Sequence, residues 1–352
     1  MPTIGLRTHN LSIERLKGIR ALDEISFEDK PLTGIFGPNC IGKSTILQAL
    51  AAAYSPPNGC TAADFSQFFP QLADDAWNGT KFNLNHTFKT GDVEATGTIE
   101  YRKGVVTTRW KPLINKRPQR HVTFVGLKSC LPDLEAYPWH DLRGAVATPR
   151  AEAIDNRVLE AAGGILNCDY TALATLTLAD QPTRRYTTLT RQGIGNYPSV
   201  VMGAGEQRLL RLLYAVEGSR KNGLILVDEL DVLMHGDALK KLVTYLAKRC
   251  ADREHQLVFT SHREELLALK DEINVRHLHS LEGRHYCYPN TDPDSLHRLT
   301  GSRVRSLEVF VEDSVADAVV THVAGQLGMT RHVHVIRYGA AQNCFNILAG
   351  LL

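Results

Sequence analysis

The segment GPNCIGKST, at residues 37–45, constrains the fold of this chain more than any other feature. Gly37, Gly42, Lys43 and Ser44 have the G-x-x-x-x-G-K-S spacing of a phosphate-binding loop, or P-loop. An apolar run precedes the loop and a run of helix formers follows it, which is the strand–loop–helix context that the motif requires. The sequence therefore predicts an α/β sheet with an anion site at the start of a helix.

Each residue type in the P-loop predicts a contact with ATP or Mg²⁺. Glycines let successive backbone N–H groups face one phosphate chain, and the following helix directs its positive end toward the same anion. We expect Lys43 to contact the β- and γ-phosphates and the Ser44 hydroxyl to bind Mg²⁺. Asn39 and Thr45 complete the predicted nucleotide-binding set with the two glycines. The alternative is a glycine-rich turn without a ligand.

Two further apolar runs end in polar residues that suit ATP hydrolysis. In LILVDELD, Asp228 is expected to bind Mg²⁺ through water and Glu229 to polarise the attacking water. The run VFTSH ends in His262, a candidate for a hydrogen bond to the γ-phosphate. Many strands end in acids, and a lone histidine at a strand end is usually structural. The functional interpretation of these residues therefore depends on the P-loop that precedes them in the sequence.

A turn of small residues, Gly203, Ala204, Gly205 and Glu206, opens the helical run EQRLLRLLYAVEGSR. The exposed N–H groups and positive end of such a helix form a second anion site. An ordinary helix start is the alternative. The position of the turn, one helix and one strand before Asp228, favours the functional interpretation.

In this order the four segments resemble the ABC-class ATPases, in their Rad50, RecF and OLD branch, over about residues 3–281. The resemblance implies an α/β ABC-type head at residues 1–303, with an antiparallel β lobe and a helical insertion at about residues 60–200. It also implies that two copies enclose two ATP molecules. Gly203–Glu206 of one copy would then complete the site of the other, in a homodimer or higher even oligomer. Asp231 falls at the D-loop, an element that crosses between subunits.

The chain departs from this family at several positions. Cys40 stands where the class usually has glycine, Ile41 where it has a small residue, and Gly203 where it has the signature serine. Loss of the serine hydroxyl removes a phosphate contact, so slow hydrolysis is expected. Gln67 and Gln71 are candidates for the Q-loop. No heptad pattern lies between the P-loop and the Gly203 turn, which excludes a long coiled-coil arm.

Residues 304–352 resemble the first third of a Toprim domain, as in OLD proteins and in the ATPases of Septu-type, Gabija-type and retron-associated anti-phage systems. Glu312 would serve there as general base or metal ligand. Asp313 replaces the usual glycine, and Asp317 lies one position from the usual aspartate. The D-x-D pair that Toprim chemistry needs does not follow. We expect the natural chain to continue past Leu352; the alternative is a segment that only packs.

Composition and charge limit the cellular compartment and the binding partners that we expect for this protein. A formal charge of +2 does not favour nucleic acid over the whole surface. Seven cysteines without a CxxC pair fit a reducing compartment, and no apolar run is long enough to cross a membrane. We therefore expect a cytoplasmic protein. Weaker candidates are two histidine pairs for a metal, His277 with His279 and His332 with His334, and a basic loop for nucleic acid with Lys111, Lys116, Arg117 and Arg120.

Three functions compete at this stage. The first is a bacterial anti-phage ATPase that controls a nuclease, with an HNH-type nuclease, a retron reverse transcriptase or its RNA as candidate partners. The second is a RecF-like or Rad50-like DNA repair ATPase, for which DNA is the partner. The third is a scaffold that binds ATP with little hydrolysis. The Toprim-like segment favours the first, and Gly203 keeps the third open.

Overall fold

A computed structural model of the chain describes residues 3–60, 64–70, 77–104, 109–136, 150–153, 156–178, 181–289, 307–330, 333–339 and 343. The chain divides into two units, Met1–Asn290 and Thr291–Leu352. The strands of the first unit are β1 (Thr3–Leu16), β2 (Ile19–Ser26), β3 (Leu32–Phe36), β4 (Thr80–Thr90), β5 (Val93–Lys103), β6 (Trp110–Lys111), β7 (Val122–Val125), β8 (Arg150–Ala153), β9 (Tyr170–Leu178), β10 (Gln181–Arg191), β11 (Gly195–Pro198), β12 (Leu224–Val227), β13 (Gln256–Thr260), β14 (Asn274–Leu281) and β15 (Arg284–Pro289).

The helices of the first unit are α1 (Lys43–Ala52), α2 (Phe65–Phe68), α3 (Asp133–Ala136), α4 (Asn156–Leu166), α5 (Ala204–Glu217) and α6 (Gly236–Arg253), with 3₁₀ turns at Ile114–Lys116, Leu127–Cys130, Ser199–Val201 and Glu264–Leu269. Helices α1 and α5 and strands β12 and β13 occupy the segments that the sequence predicted. Among the described residues, no helix is long and apolar enough to span a membrane.

The central sheet has the strand order β15-β14-β3-β13-β12-β7. Strands β14, β3, β13, β12 and β7 run parallel, and β15 adds an antiparallel edge. All residues of β3, β12 and β13 are buried, as expected for parallel strands that are covered on both faces. The carboxyl ends of β3, β12 and β13 therefore meet at one edge of the sheet, and the segments that follow them carry the predicted site.

The predicted antiparallel lobe is present as a five-stranded sheet in the order β2-β1-β4-β5-β6. Strand β4 pairs with the N-terminal strand β1, so the lobe is continuous with the start of the chain. Alternating residues of β1 and β4, such as Leu11, Ile13, Phe82 and Leu84, are buried against α1. This hydrophobic core holds α1, and with it the P-loop, against the central sheet.

The predicted helical insertion is present between α3 and α5 as one helix, α4, which begins at Asn156. It also contains a sheet that the sequence analysis did not predict, in the order β11-β10-β9-β8, which we call the lateral sheet. Strand β9 alternates between threonine and apolar residues, but β10 alternates poorly and β8 and β11 are only four residues long, so the sheet as a whole gave little signal. Helix α4 packs against α5 and α6.

In the second unit, β16 (Leu307–Val311), α7 (Ser314–Gln326) and β17 (Val333–Arg337) follow in the predicted order. The two strands pair in parallel and α7 packs on them. Asp313 caps the helix, since its carboxylate accepts from the N–H groups of Val315 at 3.0 Å and Ala316 at 2.9 Å. Asp313 therefore has a structural role as the N-cap of this helix.

Candidate active site

The P-loop turns between β3 and α1 through residues with positive φ angles. Gly37 has φ 138°, and a Cβ there would lie 2.6 Å from the backbone oxygen of Leu278. Gly42 has φ 102°, and a Cβ there would lie 2.5 Å from the side chain of Ile19. Both positions therefore require glycine for conformation and for space. Cys40 adopts φ 61°, a left-handed conformation at the place where the class usually has glycine.

Lys43 is folded back onto its own loop. Its ammonium donates to the carbonyl oxygens of Gly37 at 2.8 Å and Pro38 at 2.9 Å, and the residue is only 6% exposed. Burial lowers the pKa of this lysine, and the nearby carboxylates of Glu229 and Asp228 act in the opposite direction. The lysine therefore sits inside the loop with neutral partners that a phosphate group can replace.

The side chains of Ser44 and Asp228 are in contact next to the P-loop. The Ser44 hydroxyl donates to Oδ1 of Asp228 at 2.9 Å, although the two residues belong to different strand–turn units. Asp228 is 5% exposed, so its carboxyl group is buried and held by hydrogen bonds. A hydroxyl and a carboxylate in contact are the hard oxygen donors that Mg²⁺ takes beside nucleotide phosphates. The residues present therefore fit the predicted cation.

Thr260, at the end of β13, connects the two acidic residues and was not predicted. Its hydroxyl donates to Oδ1 of Asp228 at 2.8 Å and accepts from the backbone N–H of Glu229 at 2.7 Å. Glu229 has φ 51°, so this hydrogen bond holds a left-handed residue in place. The sequence signal was available, since Thr260 ends the buried strand two residues before His262.

His262 lies at the same edge of the sheet but is not tied into this network. It is exposed in the segment after β13, and its side chain hydrogen-bonds to none of the residues that the structure describes. Gln67, a Q-loop candidate, is exposed on the short helix α2, and Gln71 lies outside the described residues. On the side of β12 that faces away from β13, the neighbouring segment is the one after β7, which contains Gly126 and Cys130.

The turn that was predicted to form a second anion site lies at the start of α5. Gly203 is the N-cap residue and is exposed, and nothing lies within 4 Å of a Cβ placed on it. A Cβ on Gly205, by contrast, would lie 2.5 Å from the backbone oxygen of Leu233. We call Gly203–Glu206 the signature turn. It packs on the loop after β12 in its own subunit and leaves its N-cap open.

Glu206 of the signature turn is held by two tyrosines of the lateral sheet. Its Oε1 accepts from the hydroxyl groups of Tyr170 at 2.5 Å and Tyr197 at 2.8 Å. Burial and the hydrogen bond to Glu206 raise the pKa of Tyr197 to about 12, and the same causes raise the pKa of Tyr170. Both phenols therefore remain protonated donors at neutral pH.

Arg208, one turn into α5, was also not predicted. The residue is 1% exposed, and its guanidinium donates to the carbonyl oxygens of Asp228 at 3.0 Å and Gly126 at 3.3 Å and to the hydroxyl of Ser129. It therefore joins the signature helix to the ends of β12 and β7. An arginine among the leucines of an amphipathic helix was the sequence signal that could have revealed it.

Burial shows which residues of the basic loop and of the histidine pairs are accessible to a ligand. Arg117 and Arg120 are 5% and 3% exposed and donate to carbonyl groups inside the fold, so they are not available to bind nucleic acid, whereas Lys111 and Lys116 are exposed. Among the described residues, no group of three or more His, Cys, Asp or Glu side chains could hold a metal ion. Of the histidines proposed as pairs, His277 is buried, His279 and His334 are at least partly exposed, and His332 lies outside the described residues.

Two family models match successive parts of the sequence. Residues 10–115, with the P-loop, match a family described as "AAA domain". Residues 133–268, with the signature turn, Asp228 and His262, match a family described as "AAA domain, putative AbiEii toxin, Type IV TA system". The chain carries an ATPase head of the AAA/ABC class. Neither family model covers half of the chain.

Known proteins resemble parts of this chain. The hemin import ATP-binding protein HmuV of Pseudomonas fluorescens (strain Pf0-1) is 31% identical over 113 residues, which are 29% of this chain and 42% of that protein. An SMC head bound to the C-winged helix domain of ScpA is 14% identical, with a TM-score of 0.53 over 82% of this chain and 98% of that chain. An Smc head with an extended coiled coil, derived from Pyrococcus furiosus and bound to the C-terminal domain of ScpA, is 11% identical, with a TM-score of 0.51 over 85% and 99%. The α/β P-loop head predicted from the sequence is confirmed.

Proposed function

We propose that this chain is a Mg²⁺-dependent ATPase and that two copies enclose two ATP molecules between them. Each copy supplies Lys43, Ser44, Asp228, Glu229 and His262 to one ATP. The observation that carries the proposal is the 2.9 Å contact between the Ser44 hydroxyl and Asp228 directly after the P-loop lysine. When bound, Mg²⁺ would neutralise phosphate charge beside these two residues.

Within such a site, Asp228 and Glu229 would have different roles. Asp228, held by Ser44 and Thr260, would be the metal-side carboxylate. Glu229 is the next residue, and its left-handed backbone turns it away from the strand direction. Its carboxylate would orient the attacking water and accept a proton from it. His262, exposed at the same edge, would reach the γ-phosphate only once ATP is bound.

The second copy would dock on the signature turn. Gly203 is open, and the first turn of α5 presents backbone N–H groups and a positive helix end. Two large apolar side chains near this turn, Val201 and Leu233, are 68% and 46% exposed. Exposed apolar side chains beside an open anion site support burial against another copy of this head. We therefore infer a homodimer or a higher even oligomer.

For the biological role we propose a cytoplasmic ATPase of bacterial anti-phage defence that controls a nuclease, its own or a partner's. The β16–α7–β17 order of the second unit and the OLD-like motif order support this assignment. Glu312 is exposed, so a nuclease would need further carboxylates from residues outside the described part or from a partner. An HNH-type nuclease or a retron reverse transcriptase with its RNA would suit the partner role.

A DNA repair ATPase of the RecF or Rad50 type is the second candidate. The fold likeness to SMC heads, over more than four fifths of this chain, is the observation that favours it. A scaffold that binds ATP without hydrolysis is the third, because Gly203 replaces the signature serine. Hydrolysis stimulated by DNA without cleavage supports the repair ATPase, and nucleotide binding without hydrolysis supports the scaffold.

The test of the proposed function compares wild type with Glu229→Gln and Lys43→Ala. With ATP and Mg²⁺, Glu229→Gln is expected to bind ATP and accumulate as a dimer, because binding is retained while the hydrolytic step is slowed. Lys43→Ala is expected to lose nucleotide binding and to remain a monomer under the same conditions. Sedimentation velocity and phosphate release measure both. Wild-type rates in Glu229→Gln, or no dimer with ATP in any variant, would contradict the proposal.

A further inference from the structure

We propose that Tyr170 and Tyr197 are positioning residues that hold the Glu206 carboxylate away from the partner subunit's γ-phosphate, and so keep the signature turn able to bind an anion. The inference rests on the proposed function, since it needs the turn to meet a phosphate group in trans. It goes further by assigning a role to the lateral sheet, which nothing in the P-loop chemistry explains.

The geometry joins three separate parts of the head at one oxygen atom. Tyr170 begins β9 and Tyr197 lies in β11, and these strands flank β10 in the lateral sheet. Both hydroxyl groups donate to Oε1 of Glu206, at 2.5 Å and 2.8 Å. Two donors from different strands on a single carboxylate oxygen fix its direction more strongly than either donor alone. We call this arrangement the tyrosine clamp.

The position of Glu206 explains why a clamp is needed. Glu206 is the third residue of α5 after the N-cap Gly203. A glutamate at this position often turns back toward the N-cap N–H, and the helix dipole favours it there. In this turn those same N–H groups would bind a phosphate group, and a carboxylate beside them would repel it. The clamp draws the carboxylate to the lateral sheet instead.

The phenols are suited to this role because they carry no charge. Burial and the hydrogen bonds to Glu206 keep both protonated, since the pKa of each is raised. A lysine or arginine at either position would also attract the carboxylate, but it would add a positive charge next to the turn. Two neutral donors hold the glutamate and leave the anion affinity to the helix N-terminus. Movement of β9 or β11 would release the carboxylate toward the turn.

The test uses variants that separate charge from packing. All are made in the Glu229→Gln background so that ATP is not consumed during the measurement. Removing both hydroxyl groups, Tyr170→Phe with Tyr197→Phe, is expected to raise the ATP concentration for half-maximal dimer formation by about tenfold or more, because the free carboxylate opposes the phosphate. Adding Glu206→Gln to this pair removes the charge and is expected to restore dimer formation toward the starting value.

The matched control lies at the other end of the same helix. Tyr245 of α6 donates to Oε1 of Glu217 at 2.8 Å, which is also a phenol–carboxylate pair on α5. Tyr245→Phe is expected to lower the thermal unfolding midpoint without changing the ATP dependence of dimer formation. Should the double tyrosine variant fail to fold, Tyr197→Phe with and without Glu206→Gln makes the same comparison with one hydroxyl group removed.

The outcomes separate the clamp from the proposed function. If the background protein does not dimerise with ATP, the proposed function fails and the clamp fails with it. If it dimerises and the double variant needs no more ATP, the clamp has no effect on the turn. If the double variant is weakened and Glu206→Gln does not restore it, the tyrosines act only through packing. Weakening with restoration supports the proposal.

Discussion

The hydroxyl group of Thr260 positions both acidic residues at this edge of the sheet. It binds Asp228 through its hydrogen and the N–H of Glu229 through its oxygen, so both acidic residues depend on one side chain. Because Thr260 is fully buried, water cannot take over either hydrogen bond. Asp228 and Glu229, for which we propose the metal-side and hydrolytic roles, are thus positioned together by a residue of the neighbouring strand.

We therefore predict that Thr260→Val binds ATP but hydrolyses it slowly. Valine keeps the shape of threonine and leaves the N–H of Glu229 without a partner, which costs about 1–3 kcal/mol. The kcat is expected to fall by about tenfold or more, with a smaller change in the KM for ATP. Thr260→Ser restores the hydroxyl group and is the control. A kcat equal to that of wild type in Thr260→Val would contradict this role.

The two glycines of the signature turn make a second prediction. Gly203→Ser meets no atom within 4 Å of its Cβ and returns the hydroxyl that the class usually has, so hydrolysis is expected to rise about two- to tenfold. Gly205→Ala places a Cβ 2.5 Å from the oxygen of Leu233, so we expect lower stability and weaker ATP-dependent dimerisation. Steady-state ATPase rates and thermal unfolding distinguish them. No gain from Gly203→Ser would mean that the missing hydroxyl is not what limits the rate.

At the scale of elements, helix α5 connects the signature turn to the strand end that carries Asp228. Its first turn contains the proposed anion site, and Arg208 binds the ends of β12 and β7 from the second turn. The lateral sheet contacts the same first turn through Glu206. A shift of α5 would therefore move the signature turn relative to Asp228 in the same subunit.

Arg208 gives the prediction at this scale. Arg208→Met fills a similar volume but leaves the carbonyl oxygens of Gly126 and Asp228 without this donor. We expect the free energy of unfolding to fall by about 2–4 kcal/mol, because buried acceptors lose a charged partner. The rate of hydrolysis is also expected to fall, since α5 is no longer tied to β12. Denaturant unfolding and ATPase assays measure the two effects, and a loss of stability alone would leave Arg208 a purely structural role.

For the molecule as a whole, two buried histidines predict how stability depends on pH. His86 and His277 are at most 1% exposed, none of their ring nitrogens has a hydrogen-bond partner among the described residues, and burial lowers the pKa of each to about 4. The unfolded chain, with histidine pKa values near 6.5, therefore takes up protons first as the pH falls. The stabilisation is fully present above about pH 6.5 and is lost progressively down to about pH 4.

We expect the free energy of unfolding to fall by about 1 kcal/mol per histidine for each pH unit within this window. His86→Leu and His277→Leu together remove both titrating groups, so the variant is expected to have a shallower slope between pH 7 and pH 5. Urea unfolding at several pH values measures the slopes. Equal slopes in the variant and in wild type would contradict the assignment to these residues.

Motifs formed by neighbouring residues were predictable from the sequence. The P-loop requires glycine at positions 37 and 42 because of backbone conformation and space. Both positions lie within one contiguous segment of nine residues, so the motif is visible in the sequence. The buried runs of β12 and β13 show that both faces of the strand are covered, and they predicted the parallel sheet. The acidic pair after β12 and the helix after Gly203 follow from the same local patterns.

The sequence by itself thus determined the fold class, the P-loop and the order of the four motifs, because each depends on contiguous residues. Only the tertiary structure decided which distant side chains meet: Thr260 with Asp228, Arg208 with the ends of two strands, and Glu206 with the tyrosines of a sheet that the sequence did not reveal. These pairings depend on strand order and register, which bring together residues far apart in the chain. No local pattern encodes them, since an isolated threonine, arginine or tyrosine has the same signal whether or not it has such a partner.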